Sequence, residues 1–342
     1  MKNLIQNTVA ILVLLAIIAA FAACRTDETT PAATPTPQAP AIPTPPTPPP
    51  PPAPPAPPAP EPEPEQNILA YDRDGFPFTP PETVNTIISI GPSNTEVLVA
   101  LGFGDAIIQT DRFSADVAGI AEEIATLDMM ALDLERIIYL EPCIVFVTGM
   151  TRAHGEDDPL AAVSALGITV AYMPSSASIA AIKEDILFIA AVVDALPAGE
   201  AIVADMTEEI EFFRQLGESV TERRTVYFEI SPAPFMFSFG SGTFLHEMIE
   251  LVGAVNVFGD REGWLGVSDE VLLALDPDVI LTSTDFLDDP IGEIKGRSGW
   301  DTLTAVQNGD VFRISTGASN RPNHNIVIAL REIAAAIHPD GF

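Results

Sequence analysis

The sequence predicts an α/β protein of two similar lobes with a ligand cleft between them, and three observations carry that expectation. First, residues 134–145 align without a gap on residues 269–280, 135 positions later. Each copy reads as a short helix opened by a glutamate (Glu135, Glu270), stopped by an acidic residue and proline (Glu141-Pro142, Asp276-Pro277) and followed by an apolar strand. Second, residues 95–102 echo residues 246–253, each an apolar helix closed by a glycine, Gly102 or Gly253, suited to a left-handed C-cap. Third, strand and helix signals alternate through both halves, yet no strand signal falls between residues 179 and 220. There Ile202, Met206, Ile210, Phe213 and Leu216 recur at spacings of three and four, which predicts one amphipathic helix over residues 199–218. At ~1.5 Å per residue it would be about 30 Å long, enough to bridge two lobes. Matching βα units on either side of such a helix leave a cleft between them.

From the N-terminus, Lys2, an apolar run over residues 9–23 and then Cys24 read as a secretory signal, the run being shorter than the ~20 residues a bilayer span needs. Phe21-Ala22-Ala23-Cys24 resembles a bacterial lipobox, with Phe21 where leucine is usual. Residues 1–23 are therefore expected to be removed and Cys24 lipidated, which places the protein outside the cytoplasm, anchored to the cell membrane. Residues 31–64 are mostly proline, alanine and threonine, a composition that cannot bury a core and favours extended polyproline II. At ~3.1 Å per residue this stalk could reach on the order of 100 Å. Residues 24–66 thus form a lipidated cysteine and Pro-rich linker, followed by an N-terminal lobe (67–197), an inter-lobe helix (198–220) and a C-terminal lobe (221–342). Of the 2 cysteines, Cys143 opens an apolar strand and is expected in the core, so no disulfide is expected. The formal net charge of −32 argues against nucleic acid and against adhesion to anionic lipid, and is read as serving solubility or a salty habitat.

In the folded part, Asp74-Gly75 reads as a turn in a leading hairpin and residues 86–90 as a buried strand. Gly91-Pro92 then turns into a first helix, with Ser93 or Asn94 as its N-cap. Further strands are expected at 106–110, 143–148 and 169–173, and after the long helix at 225–230, 279–282 and 311–314, with a last helix over 325–337. That alternation argues for largely parallel sheets covered on both faces.

Residues 88–96, 132–137 and 253–257, Trp300 ahead of 305–311, and Arg321-Pro322 ahead of a final helix ending at His338-Pro339 stand in an order and spacing that resemble a known family. It is that of the cobalamin and ferric-siderophore binding proteins of bacterial ABC importers, and the likeness covers essentially all of residues 67–342. The resemblance implies two Rossmann-like α/β lobes joined by one long backbone helix. It implies a monomer that captures a corrinoid or iron-siderophore complex and delivers it to an ABC permease dimer with its ATPase. It further implies that Glu135 and Glu270, the glutamates singled out by the repeat, pair with permease arginines. Loops at the carboxyl ends of the strands should line the ligand site. By position these supply Ser93, Asn94, Arg112, Phe113, Met150 and Arg152 from the first lobe, and Phe237, Trp264, Phe286 and Arg321 from the second. Aromatics can cover the flat face of a macrocycle, and arginines can pair with carboxylate or catecholate oxygens. Trp264 and Arg321 stand where cobalamin-binding relatives also present Trp and Arg, whereas Met129 and Met150 lie where such relatives often carry aromatics, so corrinoid and ferric siderophore both stay open. A long connecting helix also implies only modest closure of the lobes.

Other classes fit less well. Direct metal capture would need several histidines and carboxylates converging, and of the 4 histidines only His154 and His324 fall in candidate cleft loops. His246-Glu247 begins like H-E-x-x-H, but Glu250 replaces the second histidine, which leaves a surface helix. Ser241 lies between glycines without the G-x-S-x-G pattern of a hydrolase. Neither enzymatic activity nor a resident cofactor is expected; a surface sensor of the same fold is the alternative to a transport role.

Overall fold

Strands buried on both faces need near-continuous apolar sequence, and Ile144–Thr148 and Val279–Thr282 meet that requirement. The computed structural model describes residues 69–152 and 158–339. The segment carrying Cys24, the proline-rich stretch, His154 and the side chain of Arg152 lie outside the described residues. The N-terminal lobe runs β1 (Ile87–Ile90), α1 (Pro92–Ala100), β2 (Ile107–Asp111), β3 (Thr126–Leu127), α2 (Leu134–Leu140), β4 (Ile144–Thr148), α3 (Ala161–Ala165) and β5 (Thr169–Met173). Two helices follow, α4 (Ile179–Val192) and α5 (Leu196–Ser219). The C-terminal lobe comprises β6 (Thr225–Glu229), β7 (Phe237–Phe239), α6 (Phe244–Leu251), β8 (Val255–Asn256), β9 (Trp264–Gly266), α7 (Asp269–Leu275) and β10 (Val279–Thr282). It ends with α8 (Pro290–Lys295), α9 (Thr304–Asn308), β11 (Val311–Arg313), α10 (Thr316–Asn320) and α11 (Ile326–Ile337). Among the described residues the first lobe holds a parallel sheet in the order β3-β2-β1-β4-β5. The second holds a parallel sheet β11-β10-β6-β8 and a separate antiparallel ribbon β7-β9. This is the expected α/β architecture of two lobes.

The two-residue alternation of strand side chains sorts the core into three layers. Ile87, Ile144, Phe146, Ala171 and Met173 of the first sheet join Val226, Phe228, Val279 and Leu281 of the second in one shared core. That core also takes in Met206, Ile210 and Phe213 of α5 and the apolar faces of α4, α6 and α11. The alternate residues, Ile88, Ile90, Val145, Val147 and Tyr172, form the outer core of the first lobe. Tyr227 and Ile280 belong to that of the second. The lobes are therefore welded through a common apolar layer.

The long helix α5 spans 24 residues, about 36 Å at ~1.5 Å per residue. Pro197 sits in its first turn, where a missing N–H costs no hydrogen bond, so the helix begins at Leu196 rather than at Gly199. The strandless stretch also holds the separate helix α4, divided from α5 at Asp194, which takes a left-handed φ of 56°.

Both sequence echoes are matched in backbone geometry. Glu141 and Asp276 cap α2 and α7 with φ of 44° and 43°, each just ahead of its proline. Gly102 and Gly253 follow α1 and α6 with φ of 88° and 78°. The N–H groups of Phe103 and Ala254 reach back to Leu98 O (2.9 Å) and Ile249 O (3.2 Å), the long bond of a Schellman motif.

Four expectations need correction. The N-cap of α1 is Gly91, with Pro92 in the first turn, so Ser93 and Asn94 lie inside the helix. Cys143 precedes β4 and is only partly buried, its sulfur accepting from the Thr86 hydroxyl at 3.3 Å. The helix carrying His246 is not a surface helix, since Phe244, Leu245, Met248 and Ile249 are buried. The strands β3, β7, β8 and β9 were not expected, being too short, at two or three residues each, to show a periodic pattern.

Candidate ligand-binding site

The site starts from how each lobe holds the first turn of a helix at the carboxyl edge of its sheet. At the end of β2 the buried Asp111 accepts from Gly91 N (2.7 Å), the Ser114 hydroxyl (2.6 Å) and Phe113 N (2.8 Å). This pins the start of α1 and with it Ser93 and Asn94; Asn94 Nδ2 donates to Ile90 O at 3.0 Å. Gly91 has φ 106°, a backbone conformation that strains any side chain, and a Cβ there would also crowd Thr148 Cβ at 3.1 Å. In the second lobe Thr243 caps α6, accepting from His246 N at 3.2 Å and donating to Gly240 O at 2.9 Å. Two helix starts thus face one space, a cavity of about 870 Å³, within the ~300–1,000 Å³ of small-molecule sites.

The first lobe lines this cavity with Ser93, Asn94, Met129, Met150 and Met173, and the second with Phe237, Thr243, Phe244, Trp264, Asn320 and Pro322. The floor is α4, through Asp185, Ile186 and Ile189. Trp264 is half exposed and rests edge-on against Phe239, its partner across the β7-β9 ribbon, with ring centroids 6.1 Å apart. Asp185 is buried, and burial lifts its carboxyl above the usual carboxylate range. Hydrogen bonds from the Ser176 hydroxyl and from Arg73 Nε at 2.6 Å oppose that rise.

Of the residues expected at the site, Ser93, Asn94, Met150, Phe237 and Trp264 meet around the cavity. Arg112, Phe113 and Phe286 sit on carboxyl-end loops but outside its walls, Arg112 stacking over the Phe113 ring at 4.5 Å and Phe286 standing 71% exposed. Arg321 does not point to the ligand space. Its guanidinium bonds Glu96 Oε1 (2.5 Å), both oxygens of Asp116 (2.9 and 3.1 Å) and Phe113 O (3.1 Å). Burial works against its charge, but those hydrogen bonds outweigh burial and hold its pKa above the ordinary value. The main chain of Arg152 ends the 3₁₀ turn that carries Met150. His324 is partly buried next to this network rather than in the cavity wall.

Asp185, Thr243 and Asn320 were missed. Asp185 had a usable signal, a lone carboxylate on the stripe formed by Ile182, Ile186 and Ile189. Thr243 and Asn320 had none, as each reads as an ordinary cap or turn residue.

Glu135 and Glu270 are exposed and occupy the first turns of α2 and α7, behind the N-cap residues Asp133 and Ser268. Each helix leads into a parallel strand, so its N-terminus lies at the carboxyl side of the sheet, the side of the cleft. The Glu270 carboxyl is held below the usual range, chiefly by a hydrogen bond from its own backbone N–H and then by Ser268.

The chain is 26% identical over 261 residues to the uncharacterized ABC transporter substrate-binding lipoprotein YvrC of Bacillus subtilis, covering 75% of this chain and 81% of that one. It is 25% identical over 255 residues to the vitamin B12-binding protein of Vibrio cholerae, covering 74% and 89%. The crystal structure of a possible iron-binding (periplasmic solute-binding) protein from Staphylococcus epidermidis superposes with a TM-score of 0.65 at 25% identity, covering 75% of this chain and 100% of that one. Residues 87–316 match the family described as periplasmic binding protein. With two parallel-sheet lobes around a cavity and this match over most of the folded part, the chain belongs to the periplasmic binding protein family and is a solute-binding protein rather than an enzyme.

Proposed function

We propose that this protein is the extracytoplasmic, lipid-anchored receptor of an ABC importer and that its cleft takes a corrinoid. The observation that carries the corrinoid reading is the chemistry of the cavity. Trp264 and Phe237 from one lobe and Met129, Met150 and Met173 from the other give it mainly apolar, polarizable walls. Ser93, Asn94, Thr243 and Asn320 add hydroxyl and amide groups suited to amide side chains at a macrocycle's rim. Arg321, which stands where cobalamin-binding relatives also present an arginine, is engaged by Glu96 and Asp116 and so favours neither ligand. The vitamin B12-binding relative supports the same reading. A ferric siderophore is the second reading, favoured by the exposed Arg112 beside Phe113. Delivery to the permease falls to Glu135 and Glu270, one from each lobe, and anchoring to Cys24, as the lipoprotein relative suggests. In this reading Ser93, Asn94, Met150, Phe237 and Trp264 contact the ligand.

The test is a titration of the full-length chain with cobinamide and cobalamin, beside ferric hydroxamate and catecholate chelates, followed by tryptophan fluorescence. Of the two tryptophans Trp264 lines the cavity and Trp300 is fully buried, so the Trp264→Ala variant separates the two contributions to quenching. Saturable quenching by a corrinoid, lost in Trp264→Ala, is the expected result. Saturation only by a ferric chelate would overturn the corrinoid assignment, and silence from every chelate would favour a sensor of another ligand.

A further inference from the structure

The second sequence echo equates Glu96 with Glu247, and each of these glutamates reaches across to the opposite lobe. Glu96, on α1 of the first lobe, accepts from Arg321 Nη1 (2.5 Å), Asn323 Nδ2 (2.5 Å) and Asn325 Nδ2 (2.9 Å), all in the loop that leads into α11 of the second lobe. Glu247, on α6 of the second lobe, accepts from Ile179 N (2.7 Å), the first residue of α4 and thus of the helix that follows the last strand of the first lobe. The duplication has produced two related seams. At each, a glutamate one turn into a helix holds the start of a helix from the other lobe.

Both seams adjoin the cavity through the same short segments. Asn320 and Pro322 face the cavity while Arg321 and Asn323 turn to Glu96. Ser93 and Asn94 line it on the helix that carries Glu96, and Thr243 and Phe244 line it on the helix that carries Glu247. The Glu96 and Arg321 side chains are 12% and 18% exposed, so solvent screens their pairing weakly.

We propose that Glu96 and Glu247 are positioning residues that clasp the two lobes and fix the width of the cleft before a ligand arrives. The two clasps differ in chemistry. Glu96 holds a cation and two amides, and its charge matters. Glu247 holds a single backbone N–H, which the amide oxygen of a glutamine can also accept, as a weaker neutral bond.

The clasp is independent of which chelate binds, so its test uses no ligand and stands apart from the corrinoid titration. Hydrogen–deuterium exchange would be followed on the full-length chain and on Glu96→Gln, Glu247→Gln, Glu96→Ala and Glu247→Ala. The expected result is exchange about tenfold faster in Glu96→Ala and Glu247→Ala, the scale of one lost hydrogen bond, confined to the cavity-wall segments 91–95, 173–179 and 318–326. Glu247→Gln, which keeps an acceptor for the backbone N–H, should exchange nearer to the wild type than to Glu247→Ala, and Glu96→Gln, which loses an ion pair, should lie further from it, while β4 and β10 keep their protection throughout. Wall segments that exchange at the wild-type rate in both alanine variants would overturn the proposal. So would faster exchange spread evenly over both sheets, which marks loss of global stability, or Glu247→Gln as open as Glu247→Ala. Should an alanine variant fail to fold, the two glutamine variants still decide, since the Glu96 change should loosen the walls more than the Glu247 change and equal exchange in the two would overturn the proposal.

Discussion

Arg297→Met should destabilise the protein far more than a surface charge deletion, because of what it leaves behind. Arg297 Nη1 and Nη2 donate to Glu229 Oε2 and Oε1 at 2.6 and 2.9 Å, and the two side chains are 7% and 1% exposed. Glu293 takes the Nε and a second Nη2 bond at 2.9 and 2.5 Å, and the guanidinium lies 4.4 Å from the Trp300 ring. Burial already lifts the Glu229 carboxyl above its usual range, and Arg297 is the cation that opposes this. Without it, Glu229 keeps only the Tyr227 hydroxyl at 3.2 Å. Removing one partner of a buried ion pair costs about 3–5 kcal/mol, whereas replacing both by apolar side chains of similar volume is often neutral. Arg297→Met alone should therefore cost about 3–5 kcal/mol, and Arg297→Met with Glu229→Leu should recover at least about 2 kcal/mol of it. Since ~1 kcal/mol moves the midpoint of a chain this size by about 2–4 °C, the single variant should melt roughly 6–20 °C lower. Denaturant unfolding of wild type, both single variants and the double variant would give the coupling. A single-variant cost below about 1 kcal/mol, or a double variant no more stable than Arg297→Met, would refute the reasoning. The pair also bears on docking, since Trp300 Nε1 donates to Asp269 Oδ1 at 2.7 Å, immediately before Glu270.

Glu135→Ala with Glu270→Ala should abolish uptake by cells while the purified protein keeps its ligand affinity, because both carboxylates are exposed and outside the cavity walls; an unchanged uptake rate would sink the docking assignment. Gly217→Ala would normally favour a helix, but here a Cβ would lie 2.1 Å from Leu251 O and 2.7 Å from Gly253 N, so a loss of about 1–3 kcal/mol is expected by thermal unfolding. His324 is buried, which lowers its pKa against the pull of Glu96, so the folded protein resists its protonation. With the folded value below the unfolded one of about 6.5, its contribution is intact above that pH and is lost as pH falls from there toward the folded value. Asp185 and Glu229, whose pKa values are raised, act with the opposite sign, gaining stability as pH falls. The check is thus the difference between His324→Asn and wild type, which should shift in favour of the variant between pH 7.5 and about 5.5.

What the sequence determined by itself was whatever depends on short-range pattern. The strands were legible because a strand buried on both faces must be apolar throughout, as residues 144–147 and 279–281 are. The duplication was legible because the same caps recur: an acidic residue before proline at Glu141 and Asp276, and a glycine at Gly102 and Gly253. Glu135 and Glu270 stand in that same repeat, but the docking role proposed for them came from the family resemblance. The division of the long helical stretch at Asp194 was hidden, since no glycine marks the left-handed residue there. Ser93, Asn94 and Met150 met at the cavity because strand ends in a parallel sheet converge on one side, whereas Phe237 and Trp264 are brought there by the antiparallel ribbon β7-β9.

Arg321 shows where pattern stops. An arginine at the rim of a cleft reads alike whether its charge is free for a ligand or already paired, and its partners Glu96 and Asp116 lie 225 and 205 residues away. The same holds for Glu247 and Ile179, and for Asp185 with Arg73. Such pairings depend on which distant segments the packing brings together, between the lobes for Arg321 and Glu247 and within the first lobe for Asp185 and Arg73. A carboxylate takes whatever donor that packing brings within about 3 Å, and tertiary structure alone decides which donor it is.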